Sequence, residues 1–175
     1  SLQAEVTRAE LAATPRFAGP ARTRLTAALD QVTGRLRETD PTWSPSLDPA
    51  AVAAARTLQE RSEPGAGRRV VHLLKIALPH RQSGYSVRTR YNLAAQVQAG
   101  MDPVAITALD FPGGDAPEVE EVHGIRYRHL LREHVPGDER VDSYLDAYAS
   151  ALLPAVAEEA PDLLHVHSGG RGYEA

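Results

Sequence analysis

The sequence predicts an α/β fold: a mainly parallel sheet with helices on both faces, preceded by an N-terminal helical segment. Three observations predict it. Short, nearly continuous apolar runs of strand length recur after residue 68, as in "VVHLLKIAL" and "DLLHVHS". Between them lie longer stretches with apolar residues at helical spacing, as in "SVRTRYNLAAQVQAG". Residues 1 to about 63 carry helical spacing alone. Strands that alternate with helical patterns belong to parallel sheets with both faces covered.

The elements follow in chain order. In "LTAALDQVTGRL", Leu25, Ala28, Leu29, Val32 and Leu36 recur at helical spacing, which predicts a helix over 20–37. "DPAAVAAARTLQE" opens with Asp48 as N-cap and Pro49 as first helical residue, which predicts a helix over 49–61. The intervening "ETDPTWSPSLDP" is rich in Pro and Ser and reads as a loop. "SEPGAGRR" is a linker by its Pro and Gly content. Residues 1–65 are therefore expected to be an accessory helical segment and linker, packed on a main domain of residues 66–175 or on a partner.

"VVHLLKIAL" predicts a first strand, buried on both faces. His72 and Lys75 interrupt it and are read as structural polar groups that need partners. In the helix that follows, Val87, Tyr91, Ala94 and Val97 share a face, and Gly100 is a fitting stop. "PVAITAL" is a second strand and "GIRYRHL" a third. Between them "FPGGDAPEVEEV" reads as an acidic loop, with Glu118, Glu120 and Glu121 solvated. "VDSYLDAYASALLPAVAEE" is helical, with Val141, Tyr144, Tyr148, Leu152 and Ala155 in register. Pro154 is expected to kink or split it. "DLLHVHS" is a fourth strand.

Composition bounds the function. A length of 175 residues suits one domain with a small extension. The chain is 42% hydrophobic but only 5% aromatic, so Leu, Val and Ala should build the core. It has no Cys, which excludes disulfides and thiolate chemistry. The net charge of -4 lacks the basic excess of a nucleic-acid binder. Lys75 is the only lysine. No apolar run approaches the roughly 20 residues of a membrane span, and the first residues lack a signal-peptide core. The chain starts with Ser, and it is read as an excised fragment with more protein following.

In open α/β sheets, ligands bind beyond the carboxyl ends of the strands. Two loops occupy that edge: "LPHRQSGYSVRTR" after the first strand and "HVHSGGRGYEA" around the end of the fourth. The first has neither the G-x-G-x-x-G spacing nor a Walker lysine, so NAD binding and P-loop chemistry are not expected. Gly84 permits close backbone approach, and N–H groups at a helix start attract an anion. Ser86 could cap the helix, and Arg88 and Arg90 could clamp a phosphate. The plainer reading is an αL turn at Gly84 with a cap at Ser86.

His165 and His167 share one face of the fourth strand. As a metal pair they would need a third ligand, and none stands nearby in the sequence, so no metal is expected. His165 is read as a hydrogen-bonded histidine inside the sheet, and His167 as the one that reaches the ligand crevice. Ser168, Gly169 and Gly170 would let the backbone approach a ligand closely. His80 faces either crevice or solvent. Tyr144 and Tyr148 are assigned to the core. No Ser-His-Asp set or close carboxylate pair is present.

Three stretches together carry a resemblance: "SGYSVRTRYNLAAQVQAGMDPVAITALDFP", "EVHGIRYRHL" and "YLDAYASALLPAVAEEAPDLLHVHSGGRGYEA". Over about residues 68–175 the chain resembles the amino-terminal half of a family-4 glycosyltransferase of the GT-B fold. The resemblance implies a Rossmann-like domain that holds mainly the acceptor. It implies a facing carboxy-terminal domain, absent here, that holds the nucleotide-sugar. Transfer of the sugar to a glycan, lipid or small-molecule acceptor would retain anomeric configuration without an essential metal or other cofactor. Gly84, Tyr85 and Ser86 match the loop near the donor diphosphate, with Arg88 beside it. His167 matches the residue that approaches the donor sugar, followed by Ser168 and Gly169. The expected location is the cytoplasm, including the inner face of its membrane. This fragment alone is expected to be inactive. The alternative is a non-catalytic sugar- or nucleotide-binding module on the same sheet edge. A third reading is an interaction domain built on the N-terminal helices.

Overall fold

A computed structural model describes residues 9, 19–61, 68–137 and 139–167 of the chain. Among the described residues, two helices described from end to end precede the sheet, α1 (Pro20–Glu38) and α2 (Pro49–Arg61). Their bounds agree with the expected ones to within a residue. Asp48 starts α2 as anticipated: its carboxylate accepts from the Ala50 N–H at 2.9 Å. Then follow β1 (Arg69–Leu74), α3 (Gly84–Gln98), β2 (Asp102–Thr107), β3 (Val119–Val122), β4 (Ile125–Arg128), α4 (Val141–Glu159) and β5 (Leu163–Val166).

The five strands form one sheet in the order β3-β4-β2-β1-β5. The pairs β1/β2, β1/β5 and β2/β4 are parallel, and β3/β4 is an antiparallel hairpin. The fold is thus α/β with a mostly parallel sheet. The strand β3 corrects the expectation of a solvated loop over 118–121. Val119-Glu120-Glu121-Val122 has no apolar alternation, so its pattern reads as loop. What makes it a strand is the turn after it: His123 (φ 54°) and Gly124 (φ 75°) both adopt positive φ, the backbone of a tight hairpin turn.

The sheet separates two apolar clusters. On one face Val71, Leu73, Val104 and Ile106 pack with Tyr148, Leu152 and Ala155 of α4. On the other, Leu74, Ala105, Ile125 and Tyr127 pack with Leu93 of α3. Tyr148 is therefore core, with Tyr144 packed against the same cluster. Helix α4 runs unbroken through Pro154, so the expected split does not occur.

Two helical faces differ from the apolar stripes. Helix α3 buries Ser86, Thr89 and Leu93, while Tyr91 and Val97 are exposed. Helix α1 leaves Leu25, Val32 and Leu36 exposed. It docks on α4 and the residues just before it through polar contacts instead: Arg37 to Asp142 at 2.9 Å, and the Gln31 amide to the Glu139 carbonyl at 3.0 Å. The α1–α2 connection is tied to α4 as well, since the Ser46 N–H donates to Asp146 and the Asp48 N–H to Ser150. The accessory helices thus pack on the sheet domain, at α4. Among the described residues, no helix is long and apolar enough to cross a membrane.

Candidate functional site

First and last in the chain order of strands, β1 and β5 are neighbours in the sheet. The order of strands reverses between them, and their carboxyl ends open at the same edge because they run parallel. The loop after β1 leads into α3. The chain leaving β5 reaches His167, whose N–H is still held by the Leu73 carbonyl at 3.2 Å.

Helix α3 begins with a capping box that the sequence encodes as Ser83-Gly84-Tyr85-Ser86. Ser83 is the N-cap; its hydroxyl accepts from the Ser86 N–H at 3.1 Å. Ser86 Oγ in turn accepts from the Ser83 N–H at 2.9 Å and lies 2.7 Å from the Arg81 carbonyl. Ser86 is buried, so its hydroxyl is committed to the loop itself. The first two helical residues, Gly84 and Tyr85, have N–H groups with no acceptor inside the helix. Gly84 does not have positive φ, and a Cβ there would meet no atom of the described residues within 4 Å. An αL turn therefore does not explain this glycine. Its surroundings are open, and it is exposed.

The Tyr85 ring meets the His167 ring edge-on, with centroids 6.2 Å apart. The Tyr85 hydroxyl accepts from the Lys75 N–H at 3.3 Å, and the Lys75 ammonium lies 5.2 Å from the centre of the Tyr85 ring. Burial pushes the Tyr85 phenol up, against the influence of Arg88. The structure thus brings Gly84, Tyr85, Arg88 and His167 to one edge. It turns Ser86 inward. Ser168, Gly169 and Gly170 lie outside the described residues.

His165 and His167 do have a third imidazole beside them: His72, the register partner of His165. His72 is fully buried. Its Nε2 lies 2.7 Å from Gln96 Oε1 on α3, and its Nδ1 lies 2.9 Å from His167 Nε2. The Gln96 carbonyl oxygen can only accept, so His72 carries its proton on Nε2. Its Nδ1 then accepts from the His167 Nε2–H. The chain Gln96–His72–His167 is closed by hydrogen bonds between neutral groups. His165 stacks on His167, with ring centroids 4.4 Å apart. The donor atoms of the three lie within 4.8 Å of one another, as an ion would require, but the hydrogen-bond chain satisfies His72 fully as it stands. Burial, the neighbouring His165 and His72, and Arg88 all disfavour a charge on His167 and push its pKa down to about 4. Burial also lowers His72. His72 was assigned to structure and keeps that role, but it is the residue that holds His167. Strand register, which brings it beside His165, is not legible in a single sequence.

A second cluster at this edge joins His80, Glu120 and His129. Its members come from the β1–α3 loop, from β3 and from just past β4. Glu120, expected in a solvated loop, has a side chain only 18% exposed, and His129 is fully buried. The alternation Ile125, Tyr127, His129 is the signal that places His129 inward. No protein-family model, curated protein or solved structure significantly matches the chain.

Proposed function

We propose that the chain is the acceptor-side, amino-terminal half of a retaining glycosyltransferase. The whole enzyme would move a sugar from a nucleotide-sugar to a glycan, lipid or small-molecule acceptor, in the cytoplasm or at the inner face of its membrane. The observation that carries the reading is the meeting of Tyr85, on the first turn of α3, with His167 past β5. They meet where the strand order reverses, the usual place for a ligand in such a sheet.

Chemistry supports the same reading. In glycosyl transfer the bond from the anomeric carbon to the diphosphate oxygen breaks, and the acceptor oxygen bonds to that carbon. Negative charge grows on the leaving diphosphate. Donors aimed at that charge lower the barrier without reorganising. The N–H groups of Gly84 and Tyr85 and the guanidinium of Arg88 are such donors, and the open space over Gly84 lets an oxygen come close. His167 stays neutral at physiological pH and is fixed by His72, which suits it to orient a sugar hydroxyl rather than to carry charge.

The test uses the full-length protein and this chain side by side, with a panel of nucleotide-sugars and acceptors, and measures nucleotide release. The expected result is turnover by the full-length protein and none by the chain alone. The chain supplies one wall of the cleft, and contacts to a diphosphate left in water are weak. Donor or sugar binding without turnover by the full-length protein would favour a non-catalytic binding module. Turnover by the chain alone would overturn the half-enzyme reading.

A further inference from the structure

The cluster of His80, Glu120 and His129 takes no part in the site proposed above. His80 Nε2 lies 2.7 Å from Glu120 Oε1, and His129 Nε2 lies 3.0 Å from the same oxygen. The ligating atoms all lie within 4.8 Å of one another. His129 is buried, and the His80 side chain is 26% exposed, so the cluster is open on the His80 side.

Proton accounting singles out His129. Its Nδ1 lies 2.9 Å from Thr107 Oγ1, and that hydroxyl lies 3.0 Å from the Phe111 carbonyl oxygen. A hydroxyl has one proton, and a carbonyl oxygen can only accept. Both contacts are satisfied together when Thr107 donates to Phe111 and the His129 Nδ1–H donates to Thr107. In the neutral ring, Nε2 then carries a lone pair, aimed at a carboxylate oxygen that also offers only lone pairs. Two acceptors 3.0 Å apart in a buried place need a proton or a metal cation between them.

The donor set specifies which cation. Two imidazoles and one carboxylate suit first-row divalent transition ions rather than Mg²⁺ or Ca²⁺. An outer hydrogen bond that fixes the tautomer of a ligating imidazole is the usual companion of such sites. With bonds of about 2.0–2.2 Å in the tetrahedral arrangement usual for Zn²⁺, ligating atoms stand roughly 3.4 Å apart. The observed separations of 2.7 and 3.0 Å are shorter, so the ligands part by roughly 0.4–0.7 Å to admit the ion.

We propose that His80, Glu120 and His129 bind one divalent first-row transition ion, with Zn²⁺ the fitting choice. The ion ties the β1–α3 loop to the β3–β4 hairpin through three protein ligands. A further position on the open side is left for water or an anionic oxygen.

The test titrates the metal-free chain with Zn²⁺ by calorimetry and with Co²⁺ by visible absorption. One equivalent should bind, with Co²⁺ bands of a nitrogen- and oxygen-ligated site. Glu120→Gln and His80→Ala should each weaken binding by more than about tenfold. His80 is partly exposed, so its variant should fold, which circular dichroism checks. A His165→Ala/His167→Ala chain should bind as wild type does. The proposal is overturned if the folded wild-type chain binds no ion, which would mean a protonated imidazole fills the gap. It is overturned equally if both variants retain affinity, or if the double variant is the one that loses it.

Discussion

His167, past the end of β5, reaches into the sheet to hydrogen-bond His72 in β1, Nε2 to Nδ1 at 2.9 Å. Because Gln96 already accepts from the far side of His72, the pair is directional: His167 donates and His72 accepts. Protonating His72 at Nδ1 breaks the bond, and protonating His167 places a second charge near Arg88.

The first prediction is a pH dependence. The ordinary His pKa is 6.5, and that of His167 is lowered to about 4. Between these values the unfolded chain binds the proton and the folded chain does not. Stability should therefore be level above about pH 6.5 and fall as pH drops toward 4. His72 shifts the same way and adds to the trend. His167 is only partly buried, so solvent screens the effect and its size should be modest. Titration of the His167 ring by NMR checks the assignment. A midpoint at or above 6.5 would remove the neutral His72–His167 pair as the account.

The second prediction separates two faces of α3. Leu93 is fully buried against Leu74, Ala105 and Tyr127, so Leu93→Ala should destabilise by about 2–5 kcal/mol. Tyr91 is 66% exposed, so Tyr91→Ala should stay within about 0.5 kcal/mol. Denaturant unfolding measures both. Equal costs would mean that the apolar stripe through Tyr91 packs after all.

A third concerns the docking of α1. Gly34 lies inside this helix, where Ala is ordinarily better by about 1 kcal/mol. A Cβ at Gly34 would stand 2.8 Å from Asp142 Oδ1. That carboxylate is held in place by Arg140 and Arg37 and cannot easily yield. Gly34→Ala should therefore lower the melting temperature. A rise would show that α1 does not sit against the start of α4.

These contrasts show what periodicity can and cannot carry. The bounds of α1 and α2, and the presence of the parallel strands though not where β1 stops, are legible because apolar spacing and a Pro after an N-cap are local properties. The docking face of α1 is not, since it is chosen by Asp142 more than a hundred positions away. Strand β3 is hidden for a similar reason: a hairpin turn and pairing with β4 impose it on a segment with no alternation. At the site, local composition singles out Gly84 and His167, and Tyr85 comes only from the resemblance. It passes over His72, Glu120 and His129, because their partners come from other strands and loops.

The last prediction uses Gly84 and His167 to separate folding from function. Among the described residues nothing lies within 4 Å of a Cβ placed at Gly84, and its φ is not positive, so Gly84→Ala should keep or raise stability, by up to about 1 kcal/mol. If a diphosphate oxygen uses that space, the same change in the full-length enzyme should raise KM for the donor or lower kcat. His167→Ala should lower kcat by about tenfold or more, if it removes a contact worth roughly 1.4 kcal/mol in the transition state. His165→Ala is the control: its exposed ring stacks on His167 but hydrogen-bonds nothing in the Gln96–His72 chain, so it should cost less than His167→Ala. Kinetics left unchanged by both Gly84→Ala and His167→Ala, in folded enzyme, would return this edge of the sheet to a purely structural role.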